Sequence, residues 1–158
     1  MRIQSAPTES KPVFTAGANV AALYNKAIAW DYTLIKRYAV EKGIYTASEI
    51  DRVVDEYCRF LALSVAFPGV PMPISEKVDK FWHTHILFTE NYSDMSDTLA
   101  DGYLHHRPAI LDPELHLKEA FEAETLRLYR ENFGEPDKAY WDQTCCKACR
   151  CSCRTKIQ

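Results

Sequence analysis

The stretch SEKVDKFWHTHILFTENY, residues 75–92, decides how this chain is read. Ser75 before Glu76 is a helix-opening pair: a hydroxyl that accepts from an unpaired backbone N–H, then an acid at the positive end of the helix dipole. Side chains three and four residues apart share a helix face. Unrolled in this way, Ile74, Val78, Phe81, His85, Phe88 and Tyr92 form a stripe that is apolar except at His85 and the terminal Tyr92. His85 is therefore aimed into a core. A neighbouring stripe runs through Asp79, His83, Ile86, Leu87 and Glu90, and places a carboxylate and an imidazole one turn apart. His83 and His85 diverge by about 160° around a regular helix. They do not make the shared face of an HxxxH zinc helix.

Working outward toward the N-terminus, "TASE" at Thr46–Glu49 reads as a capping box before the apolar set Ile50, Val53, Val54, Tyr57, Leu61 and Val65. That helix stops at "FPGVPMP", where prolines and a glycine force a crossover. Before it, Val20, Leu23, Ala27, Trp30, Leu34 and Tyr38 recur at helical spacing from Asn19 to about Lys42, closed by Gly43. Toward the C-terminus, the helix of residues 75–92 is followed by a short one in "SDMSDTLADG" and by a loop, "YLHHRPAILDP". A last long helix then opens at Pro113 with Asp112 as its cap and carries Leu115, Ala120, Phe121, Leu126, Leu128 and Tyr129. No alternating strand pattern stands out. The expectation is an all-α bundle of about four main helices with a histidine-bearing loop, residues 17–143, preceded by a flexible arm, 1–16, and followed by a Cys-rich tail, 144–158.

Composition narrows the functional classes. A chain of 158 residues, 47% of them hydrophobic, closes a core without disulfides. Nineteen Lys and Arg against 22 Asp and Glu leave no broad positive field, which argues against nucleic acid. No apolar run reaches the length of a signal peptide or a transmembrane segment, so the chain reads as soluble and cytoplasmic.

Four of the five histidines fall in "FWHTHIL" and "YLHHRP". For His85 the plain reading is a buried neutral imidazole hydrogen-bonded at both nitrogens. For His83 it is an exposed ion pair with Asp79, and for His105 and His106 a surface loop. The chemical reading joins them. The loop folds back over the helix, and one of its imidazoles with His83 or His85 and a carboxylate gives the three-ligand arrangement of a catalytic zinc or a non-haem iron. Asp79 is then a ligand, a catalytic carboxylate or the group that orients a ligand imidazole. His105 and His106 project oppositely if the loop is extended, so one of them faces inward.

The segment from Ser75 to Pro108 resembles the glycine-rich domain-containing protein-like family. The resemblance is carried by Val78, Asp79, Trp82, His83, His85, Thr89, Tyr92, Gly102, His105, His106 and Pro108. In that family a cysteine follows the tyrosine; here Ser93, Asp94, Met95 and Ser96 stand in its place, which takes a thiolate ligand away from that segment. With five glycines in all, the glycine-rich region is also missing. The resemblance implies a helical module and no particular reaction.

The tail "TCCKACRCSCR" places Cys146, Cys149, Cys151 and Cys153 at CxxC and CxC spacings among Lys147, Arg150 and Arg154, which favour thiolates. It suits a second, thiolate-bound zinc or cuprous ion. S-acylation as a membrane tether and a redox-labile tail are the rival readings. The helical core is expected to end near Phe133, leaving the tail dispensable for folding.

Three functions follow from these residues. The first is a metal-dependent enzyme, in which zinc or iron held by the histidines activates water or dioxygen and Tyr92 is the nearest proton donor. The second is a non-catalytic helical module that binds a small molecule or a protein partner. The third is metal storage or delivery through the cysteine tail.

Overall fold

The computed structural model describes residues 20–107, 118–142 and 155–157. The arm of residues 1–16, the cap at Asp112 and Pro113, and Cys146, Cys149, Cys151 and Cys153 lie outside them.

Two helices expected to run unbroken are each interrupted where a side chain makes a bond that a continuous helix would forbid. The first divides into α1, Val20–Ile28, and α2, Thr33–Glu41. Between them the buried Tyr32 donates its hydroxyl to the Ala27 carbonyl at 2.9 Å, and Asp31 accepts from the Thr33 amide at 3.0 Å. Local bonds of this kind offer the backbone an alternative to the helical ladder.

The second interruption shapes the site. The helix of residues 75–92 is α4, Glu76–Leu87, opened as expected by Ser75, whose Oγ accepts from the Val78 amide. It stops at Phe88 (φ −88°, ψ 68°), and α5, Thr89–Ala100, follows at once, absorbing the short helix expected from Ser93. In an unbroken helix, residues ten apart lie about 15 Å apart along the axis. Here the chain doubles back, so that the Trp82 indole donates to the Tyr92 hydroxyl at 2.8 Å. Asn91, six residues from His85 and on another face of any straight helix, meets its imidazole at 2.8 Å. The break lets α4 and α5 share one aromatic core.

At the centre is α3, Ile50–Ala66, with twelve of its 17 residues buried, packed against α1, α4 and the C-terminal helix. Its start is later than "TASE" predicts, because the Thr46 hydroxyl bonds the Glu49 carboxylate at 3.1 Å instead of a backbone N–H. The last long helix comprises α6, Lys118–Ala120, a π-helical segment, Phe121–Leu126, and α7, Arg127–Phe133. Inside the π segment, Thr125 is buried and donates to the Pro73 carbonyl at 2.5 Å, fastening this helix to the crossover after α3.

The core does not end at Phe133. A further short helix, α8, Lys138–Trp141, is capped by Asp137 and delivers a buried Trp141. Its indole N–H donates at 2.7 Å to Glu56, a carboxylate of α3 with no exposed surface. The same Glu56 oxygen accepts the Tyr129 hydroxyl at 2.6 Å, and its other oxygen faces the Arg52 guanidinium at 2.5 Å. One buried charge thereby joins α3, α7 and α8.

The class is all-α, with more helical segments than the four expected. Among the described residues, it departs from that class in the histidine loop. Leu104–His106 form a strand, β1, paired antiparallel with β2, Thr155–Ile157, in the register Leu104 to Ile157, His105 to Lys156 and His106 to Thr155. Three-residue strands carry too little periodicity to be read in a sequence. No helix of the described residues is long and apolar enough to cross a membrane.

Candidate metal centre

Within α4, Asp79 and His83 stand one turn apart, but Asp79 is not the exposed half of a surface ion pair. Its side chain is 3% exposed, against 44% for His83. The third member comes from β1, where side chains alternate. Leu104 enters the core, so His106 lies on the same side and His105 on the other. His106 Nε2 reaches Asp79 Oδ1 at 3.0 Å, and His83 Nε2 stands 3.5 Å from Oδ2. The two imidazole centroids are 4.4 Å apart. Trp82 closes one side, its ring 4.5 Å from that of His106 and nearly edge-on.

Asp79, His83 and His106 thus form a group able to hold a metal ion: one donor atom from each lies within 4.8 Å of the others. Metal–ligand bonds of about 2.0–2.2 Å in a tetrahedral set put donor atoms about 3.4 Å apart. Burial lowers the His83 pKa and the neighbouring His106 acts in the same direction, against the pull of Asp79 upward. The net shift is downward, toward the neutral imidazole that metal ligation requires. His83 is the member of the group that faces solvent.

The other residues singled out in the sequence go elsewhere. His85 is fully buried, as its stripe requires. Its Nε2–H donates to Asn91 Oδ1 at 2.8 Å, and Nδ1 accepts from Tyr57 at 3.1 Å. Both nitrogens are engaged, and the ring is enclosed by Tyr32, Tyr57 and Tyr92. Asn91 also accepts the Trp30 indole N–H, which fixes its orientation. His105 packs on Tyr103 with centroids 4.8 Å apart and takes no part in the group. Tyr92 is buried, accepts from Trp82 and donates to the Leu104 carbonyl at 2.5 Å. Burial raises its pKa. Its hydroxyl fastens β1 to α5.

Trp82, Tyr92 and Leu104 position the group without belonging to it; in the sequence Trp82 is expected to help hold α4 against the histidine loop, whereas Leu104 carries no such expectation. One signal was present: Leu104, the apolar neighbour two residues before His106, marks which of the two adjacent histidines turns inward.

The His85 cage has a consequence for pH. Burial pushes the His85 pKa down to about 4, against the opposing bond to Asn91. An unfolded histidine titrates near 6.5, so between those values the unfolded chain binds a proton that the folded one refuses. Stability is therefore full above pH 6.5 and is lost as pH falls toward 4, by about 3 kcal/mol at the limit. Urea unfolding at pH 7.0, 5.5 and 4.5 should show this slope, and His85→Gln should flatten it relative to the parent. Identical slopes in the two proteins would remove His85 as its source.

An open cleft of about 580 Å³ lies elsewhere, where Tyr45, Lys77 and Lys80 face Lys138 and Tyr140 of α8. No histidine lines it. A family model described as UCP032817-like matches residues 22–128, a span that takes in the whole Asp79, His83 and His106 group. No curated protein and no solved structure matches the chain.

Proposed function

The chain belongs to the UCP032817-like family, and we propose that its helical frame holds a divalent metal, zinc or ferrous iron, on Asp79, His83 and His106. The observation that carries this reading is a buried carboxylate between two imidazoles from separate elements, one of them half exposed. Two histidines and one carboxylate are a ligand set of both catalytic zinc and non-haem iron. Three protein donors leave coordination positions for water, dioxygen or substrate, so the reading extends to an enzyme that activates one of these at the metal. Asp79 supplies the anionic donor, His106 is oriented by Trp82, and His83 closes the group from the solvent side. In this reading, the two segments that resemble the glycine-rich domain-containing protein-like family are the ones that meet at the ion.

Titration of chelator-treated full-length protein with Zn²⁺ and, anaerobically, with Fe²⁺ tests this. One ion per chain is expected that persists when Cys145, Cys146, Cys149, Cys151 and Cys153 are all replaced by serine in the full-length chain. At a free concentration about a hundredfold above Kd, binding adds about 2.7 kcal/mol of stability. In a chain of this size that raises Tm by about 5–10 °C, and chelator reverses it.

A second reading has its own observation. His106 and Asp79 already satisfy one another at 3.0 Å, so the group also serves as a metal-free clamp holding β1 to α4 in an interaction module. A melting curve unchanged by either metal and by chelator would favour the clamp.

A further inference from the structure

The strand that carries His106 is too short to hold itself. Two three-residue strands make a ribbon with little stability of its own, so β1 depends on what flanks it. On one side the Tyr92 hydroxyl donates to the Leu104 carbonyl. Along the other edge runs β2, with Thr155 opposite His106 and Lys156 opposite His105. β2 in turn lies against α3, the central helix.

Register matters here more than in an ordinary ribbon. A one-residue slip of a strand turns every side chain to the opposite face. Because two histidines are adjacent, the slip would withdraw His106 from Asp79 and present His105 instead, one residue out of place. The Leu104 anchor fixes one end of the strand, and pairing with β2 fixes the end at His106.

We infer that the C-terminal strand, Thr155–Ile157, is a positioning element of the Asp79–His83–His106 group: its backbone pairing selects His106 over His105 and holds that imidazole against the carboxylate. The inference deepens the metal reading and rests on it for one of its two readouts. Backbone groups do the holding in an antiparallel ladder, so main-chain disruption and side-chain removal have different effects.

Three variants of the full chain separate these contributions: deletion of residues 155–158, K156P, and alanine at 155, 156 and 157 together. Zn²⁺ affinity is one readout, and amide hydrogen exchange over residues 104–106 is the other. The deletion and K156P are expected to weaken Zn²⁺ binding about tenfold or more, the scale on which loss of a ligand's support acts. They should also abolish protection of 104–106 while leaving the metal-free Tm near that of the parent. The triple-alanine chain, which keeps its backbone donors and acceptors, should retain both properties. Unchanged exchange at 104–106 in the deleted chain overturns the inference, as does Zn²⁺ affinity within about twofold of the parent. If the parent binds no Zn²⁺, the metal reading falls alone, and exchange at 104–106 still decides whether β2 holds the strand.

Discussion

His106→Ala and Asp79→Asn are each expected to lower Zn²⁺ or Fe²⁺ affinity by more than about a hundredfold, because loss of a group that merely supports a ligand already costs ten- to a hundredfold. Removing a direct donor exceeds that. His83→Ala should lower affinity comparably. In the metal-free protein its stability cost should be small, since a half-exposed imidazole beside a carboxylate contributes about 1 kcal/mol at most. The comparison that gives the experiment its force is with the two neighbouring histidines. His85→Ala should keep the metal stoichiometry while lowering Tm, because both of its ring nitrogens are bonded inside the core. His105→Ala should leave stoichiometry unchanged, its ring being directed to Tyr103. Calorimetric titration of the five variants gives the answer. Metal lost from His85→Ala but retained by His83→Ala would reverse the assignment of ligands.

The contrast between His83 and His85 also shows what the sequence makes legible. The burial of His85 follows from counting: it is a polar residue on a stripe of Ile74, Val78 and Phe81, all buried. The pairing of Asp79 with His83 follows equally from the one-turn spacing. What counting misses is that Asp79 is itself buried, because burial there is imposed by β1 arriving from another part of the chain. Helical periodicity reports which residues share a face and says nothing about what crosses it. The break at Phe88 escaped for a related reason. "HILFTENY" contains no glycine or proline, and the stripe continues through Phe88 to Tyr92 as though the helix did. Tertiary bonds decide the matter, Asn91 to His85 and Trp82 to Tyr92, and each becomes possible only if the helix stops. Tertiary context overrides local propensity where several buried polar groups gain partners at once.

Glu56→Ala is expected to be the most destabilising single substitution outside the metal group, and nothing in the local sequence announces it. Glu56 sits on α3 between Asp55 and Tyr57, in a run where a charged residue reads as the solvent face of an amphipathic helix. In the fold it is fully buried. One oxygen accepts from both the Tyr129 hydroxyl and the Trp141 indole, and the other meets Arg52. Arg59 donates to the Tyr129 oxygen at 2.8 Å, so that hydroxyl is committed to donating to Glu56. Alanine would strand two buried donors, the Tyr129 hydroxyl and the Trp141 indole, and leave Arg52 with Asp55 as its remaining carboxylate. Each buried donor left without a partner costs about 1–3 kcal/mol, and the two together lower Tm in a chain of this length by about 10 °C. Glu56→Gln removes the charge but keeps an oxygen for Tyr129 and Trp141, and should fall between the parent and the alanine variant. Thermal unfolding of the three proteins with chelator present measures the series without interference from metal. Equal Tm values for the glutamine and alanine variants would place the stabilisation in the charge pair with Arg52, whereas the bonding geometry assigns a separate share to the two donors. Because Trp141 ends the last helix before the cysteine-rich segment, loosening it should also change Trp fluorescence in the folded state, a signal that lost charge alone would not produce.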